Sequence, residues 1–191
     1  MPIALSESAV VEKRLAELGK ALAVLHTMHE ELAKAIALVR STVRSRHLIL
    51  TCGNGGSAAE ALHFAEELTG RYRATRPPFR AVCLNADPTA LTCIANDFGF
   101  DEVFARQLGA LATPGDLLVV FSTSGKSPNI LRALESAQAS GVPSLGLLGA
   151  ASSPAAALCT HTITVAGVDG AAVQEAHQAI LHILCEALEP E

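Results

Sequence analysis

The 191-residue sequence predicts an α/β fold, a three-layer sandwich around a five-stranded parallel sheet preceded by long N-terminal helices. Three observations predict it. Short continuous apolar runs alternate with helical patterns, as expected for strands covered on both faces by crossover helices. No linker, low-complexity segment or internal repeat interrupts the alternation, so residues 1–191 read as one domain, long enough to bury its own core. The apolar fraction is 50%, carried by 34 Ala and 26 Leu with only seven aromatic residues, which suits closely packed helices.

Residues 6–45 read as one or two amphipathic helices. Ser6 and Ser8 offer N-caps, and Leu15, Leu18, Leu22, Leu25, Leu32, Ile36 and Val39 recur at helical spacing. This segment precedes the main domain and is expected to pack across a subunit interface. His47–Cys52 is the first strand, ending at Gly53, and residues 57–70 form a helix with Gly70 as its C-cap. Arg80–Leu84 is the second strand. Pro88–Ala95 and Glu102–Leu111 are helical, and Asn96-Asp97 falls in the loop between them. Asp116–Phe121 is the clearest strand. Pro128 opens a helix to about Ser140 at its favoured first position. Ser144–Leu148 and Thr162–Val165 are the last strands, separated by a helical turn at 154–158, and a final helix covers about 171–188.

Fourteen basic and nineteen acidic residues give a net charge of −5, which disfavours non-specific binding to nucleic acid or to anionic membranes. No apolar stretch reaches the ~18 residues of a membrane span, and the N-terminus meets charged residues too early for a signal peptide. The five cysteines form no CxxC pair, and Cys52 and Cys83 lie inside apolar strands, so they read as reduced core thiols. A cytoplasmic protein is expected.

Ligands of such sheets bind beyond the carboxyl ends of the strands. Two loops there are unusual. Gly53-Asn54-Gly55-Gly56-Ser57 joins the first strand to a helix, lets a ligand approach the backbone, and points helix N–H groups at an anion. It is neither a Walker A loop nor a G-x-G-x-x-G dinucleotide loop, and by itself also fits a tight turn. Ser122-Thr123-Ser124-Gly125-Lys126-Ser127-Pro128 follows the strongest strand and brings four hydroxyls and a lysine to another helix start, which alone fits a capped, Ser-rich turn. Together the loops predict a phosphate or phosphosugar site. On the helix after the first loop, His63 and Glu67 share a face at metal-ligand or acid–base spacing, although Glu60, Glu66 and Glu67 equally fit a solvated face. The last helix carries Gln174, Glu175, His177, Gln178 and His182 among apolar residues, and such polar groups need partners. Gln174 and His182 are separated by ~12 Å of helix rise, so spacing alone does not pair them. Asn96-Asp97 fits either contacts to sugar hydroxyls or an Asx turn.

The stretches GNGGSAAEALHFAEELTGRY (53–72), ANDFGFDEVFARQ (95–107), GDLLVVFSTSGKSPNILRAL (115–134) and QEAHQAILHILCEALE (174–189) resemble the phosphoheptose isomerases of the sugar-isomerase (SIS) domain superfamily, whose fold is flavodoxin-like. The resemblance implies isomerisation of sedoheptulose 7-phosphate to D-glycero-D-manno-heptose 7-phosphate through an enediol, the first step of nucleotide-activated heptose biosynthesis for envelope polysaccharides such as lipopolysaccharide. It implies a homotetramer with one zinc ion per subunit, held by residues matching His63, Glu67, Gln174 and His182. Glu67 and His182 match the catalytic pair. Asn54, Gly55, Gly56, Ser57, Glu67, Asn96, Asp97, Ser122, Thr123, Ser124, Ser127 and Gln174 match substrate contacts, with Arg71 nearby. Two positions depart from the family. Ala172-Val173 stands where Arg-Ile is common, and Lys126 where Asn is usual. The alternatives are a non-catalytic relative that binds the replication initiator DnaA, from which the presence of His182 separates this chain, an isomerase of another ketose phosphate, and a sugar-phosphate-sensing module that binds its ligand without turnover.

Overall fold

The computed structural model describes residues 6–190, so residues 1–5 and Glu191, which the sequence reading assigns to the single domain, lie outside the described residues. The apolar runs form β1 (Ile49–Gly53), β2 (Ala81–Cys83), β3 (Leu117–Ser122), β4 (Ser144–Leu148) and β5 (His161–Thr164). They pair in parallel in the order β2-β1-β3-β4-β5. Successive side chains of β3 enter opposite cores. Leu117, Val119 and Phe121 meet one helical layer, and Leu118 and Val120 the other. Each of these five is fully buried, contributing about 1.5–3 kcal/mol per side chain.

The N-terminal segment forms two helices, α1 (Glu7–Leu25) and α2 (His29–Arg44). Ser6 caps α1, accepting the Ala9 N–H at 3.3 Å. α1 and α2 share a layer with α3 (Gly56–Thr69) and α8 (Gly170–Glu186). The opposite layer contains α4 (Pro88–Phe98), α5 (Ala105–Leu111), α6 (Pro128–Ala139) and α7 (Pro154–Leu158). Two details differ from the sequence reading. Asn96 and Asp97 belong to the last turn of α4, which runs on to Phe98 and stops only where Gly99 takes φ +91°. The helix expected over 102–111 is a 3₁₀ turn, Phe100–Glu102, followed by α5. Gly70 is the C-cap of α3 as expected, and its N–H donates to the Glu66 carbonyl at 2.7 Å.

Burial pushes the thiols of Cys159 and Cys185 up to about 12, so these cysteines are unreactive near neutrality. All five cysteines are free. Among the described residues no helix is long and apolar enough to cross a membrane.

Asp116 joins the starts of β1 and β3. Its carboxylate accepts the Leu48 N–H at 2.7 Å, and the Thr113 N–H and hydroxyl at 2.7 and 3.0 Å. Burial acts to raise its pKa, but these bonds and nearby His47 more than offset it and hold the carboxyl below its ordinary 3.8. A lowered folded pKa contributes stability above the ordinary value that is lost as the pH falls through the folded one. Asp116→Asn should therefore cost about 2 kcal/mol at pH 7 and less at pH 3, measured by urea unfolding at the two pH values. An equal cost at both would refute the charge-assisted account.

Candidate active site

β1 and β3 lie side by side, with Gly53 in register with Phe121. Sheet order reverses here, because β2 lies on one side of β1 and β3 on the other. This is the switch point at which open parallel sheets leave a crevice. The glycine loop leaves β1 and the serine loop leaves β3, so the topology sets the two loops side by side.

Side chains lock the loops in place. Asn54 donates to Asn129 Oδ1 at 2.8 Å, and Asn129 donates back to Asn54 Oδ1 at 2.9 Å. The Asn85 side chain accepts the Gly53 N–H at 3.1 Å and donates to its carbonyl at 2.9 Å. Gly55 has φ +57°, a conformation that suits glycine. Gly56 lets the Gln174 amide approach the loop closely, since a Cβ there would displace that side chain. In the second loop the Ser122 hydroxyl oxygen accepts the Gly125 N–H at 3.0 Å, and that of Ser124 accepts the Lys126 N–H at 3.2 Å. Ser122 is buried and Ser124 exposed. Ser127 is the N-cap of α6, but its side chain makes no capping bond. Ser57 is buried at the start of α3, Thr123 is half-buried, and Lys126 is exposed. Ala172 and Val173 are buried, and the Ala172 N–H donates to Asp169, which caps α8.

From this crevice α3 and α8 run in the same direction. Gly56 faces Gln174, Glu60 faces His177, and His63 faces Gln178 and His182. Glu60 and His177 are both buried, with Oε2 and Nδ1 3.4 Å apart. Farther along, His63, Glu67 and His182 converge, and one donor atom from each lies within 4.8 Å of the others. His63 Nε2 is 3.2 Å from Glu67 Oε1, while its Nδ1 is 2.9 Å from Gln178 Oε1. The His182 ring sits edge-on to that of His63 at 5.2 Å and 5.7 Å from the Tyr72 ring. Two imidazoles and a carboxylate are a donor set that zinc accepts. Gln174 lies against Gly56, nearer the N-terminal ends of the same two helices.

The structure thus brings His63, Glu67 and His182 together, and brings Gln174 to the glycine loop. Asn96 and Asp97 instead bond to each other at 2.7 Å on the exposed end of α4, and Arg71 is exposed and donates to Thr75. Asn85, Asn129 and Gln178 were missed as site residues. Each acts on a partner 32, 75 or 115 positions away, which no local pattern reports.

Residues 15–149 match the family model of the SIS domain. The phosphoheptose isomerase of Aliarcobacter butzleri is 42% identical over 185 residues, covering 97% of this chain and 98% of the relative. That of Campylobacter concisus is 47% identical over 155 residues, covering 81% and 82%. Among solved structures, the phosphoheptose isomerase of Neisseria gonorrhoeae superposes with a TM-score of 0.87 at 34% identity, over 95% of this chain and 97% of that one. That of Francisella tularensis gives 0.90 at 28%, over 96% and 98%. Identity at this level over nearly the full length, on a sheet with the same architecture, places the chain in the phosphoheptose isomerase family of SIS-domain proteins.

Proposed function

We propose that this protein converts sedoheptulose 7-phosphate to D-glycero-D-manno-heptose 7-phosphate, the opening step of nucleotide-activated heptose biosynthesis. The observation that carries the reading is the convergence of Glu67 with His63 and His182 where α8 packs along α3, the helix that the glycine loop opens, in a chain of this family. Gly56 and Glu67 are eleven residues apart on α3, or ~16 Å of rise. Side chains on α3 lean toward its N-terminus, which brings the Glu67 carboxylate nearer the glycine loop than this rise and closer to the reach of a seven-carbon sugar phosphate.

In this reading the phosphate accepts N–H groups from the glycine loop and the start of α6, and hydroxyl protons from Ser57, Ser122, Thr123, Ser124 and Ser127. Asn54, Gly55 and Gly56 line the approach, Gln174 reaches the sugar beside Gly56, and Asn96 and Asp97 serve sugar hydroxyls. Glu67 removes the proton from the carbon beside the carbonyl and returns it to the neighbouring carbon through an enediol. His182 carries the proton between the oxygens. His63, Glu67, Gln174 and His182 would hold zinc, which when bound supplies positive charge against the developing oxygen charge.

The assembly proposed is a homotetramer in the cytoplasm. Val10, Val11, Leu15 and Leu22 on α1 are 53, 56, 61 and 40% exposed, an apolar face that a second copy would cover.

Metal analysis of the purified protein and a panel of ketose phosphates assayed in D2O, with and without added zinc, test the reading. One zinc per subunit and turnover of sedoheptulose 7-phosphate, with deuterium entering C2 of the product, is expected. A metal-free protein without turnover of this substrate, or one that prefers another ketose phosphate, would overturn it. Light scattering in the same buffer should give four times the chain mass of 19.8 kDa.

A further inference from the structure

We propose that Gln178 is a positioning residue that decides which nitrogen of His63 is presented to a metal. The inference rests on the metal site proposed above and concerns a side chain outside the ligand set. Gln178 is half-buried on α8, one turn before His182, and its Oε1 lies 2.9 Å from His63 Nδ1. The opposite nitrogen, Nε2, faces Glu67 Oε1 at 3.2 Å.

A neutral imidazole carries one N–H, and the partner of one nitrogen sets the state of the other. With Oε1 of Gln178 at Nδ1, that nitrogen must carry the hydrogen. Nε2 then turns a bare lone pair toward a carboxylate oxygen, which is itself only an acceptor. Two acceptors at 3.2 Å repel unless a cation lies between them. Turning the carboxamide brings its NH2 to Nδ1, and Nε2 then carries the hydrogen and donates it to Glu67. A carboxamide can satisfy His63 in both arrangements. A leucine could satisfy neither, and a carboxylate only the first. Gln178 therefore keeps the metal-free site bonded and, by turning over, frees Nε2 as a ligand. It also fixes the plane of the His63 ring against that of His182.

Zinc affinity of the full-length protein, measured by competition with a chromogenic chelator, tests this. Gln178→Leu should bind zinc 10–100-fold more weakly than wild type, the usual loss when a ligand histidine's outer partner is removed. Gln178→Glu, which retains the acceptor, should bind at least as tightly as wild type. In zinc-loaded wild type, the His63 nitrogen signals should show the hydrogen on Nδ1. If wild type binds zinc and Gln178→Leu binds it equally well, or if both variants lose affinity alike, the assignment to Gln178 is overturned while the metal site stands. If wild type binds no zinc, the metal reading itself falls.

Discussion

Glu67→Gln is expected to lower kcat for sedoheptulose 7-phosphate by 10²–10⁴-fold, the range in which a positioned general base contributes. The substitution keeps the shape of the side chain and removes the charge that makes it a base. Glu67 is part-buried and meets His63 one turn away, and its backbone carbonyl accepts Arg76 at 2.7 Å, so the fold does not depend on its carboxylate. The thermal midpoint should therefore stay close to wild type while turnover collapses. His182→Ala should give a similar loss. A near-normal rate in either variant would remove that residue from the mechanism, and an unfolded Glu67→Gln protein would refute the claim that the carboxylate serves chemistry rather than stability.

Gly53→Ala should have the largest effect on the protein as a whole. A Cβ at this position would overlap the Ser57 carbonyl, with the Ala58 nitrogen at 3.0 Å, and both are backbone atoms that no rotamer change can move away. Either the glycine loop or the first turn of α3 must shift, at about 2–3 kcal/mol, which in a chain of this size lowers Tm by roughly 4–12 °C. Because the displaced N–H groups are those proposed to receive phosphate, KM should rise as well. Gly109→Ala is the control. Nothing lies within 4 Å of its added Cβ in α5, so it should be neutral or stabilising by less than about 1 kcal/mol. Equal Tm values for the two variants, measured by calorimetry, would show that Gly53 is not sterically required.

The strands were legible because parallel strands buried on both faces cannot be other than apolar, and β1, β3 and β4 are buried at every position. Boundaries were less so. Nothing local marks the break between α1 and α2, since His26-Thr27-Met28 contains neither Gly nor Pro. Asn96 and Asp97 read as a loop pair by residue type, yet the helix stop lies at Gly99, and a capped start at Asp87 supports one more turn. The His63–Glu67 spacing was visible. His182 entered only through the family resemblance, because it reaches them by the parallel packing of α8 on α3, which no pattern within either helix encodes. The same holds for Asn129 and Gln178, whose value lies in what they touch.

The mutual amide pair of Asn54 and Asn129 constrains how this sequence can change. Each side chain both gives and takes one hydrogen bond with the other, and Asn129 is 1% exposed. Replacing either one strands the other's donor and acceptor beside the crevice, whereas a matched double replacement can avoid that penalty. The two positions, 75 residues apart, therefore behave as one heritable unit. Variants that arrive at a new loop chemistry must pass through a weakened intermediate or change both residues together.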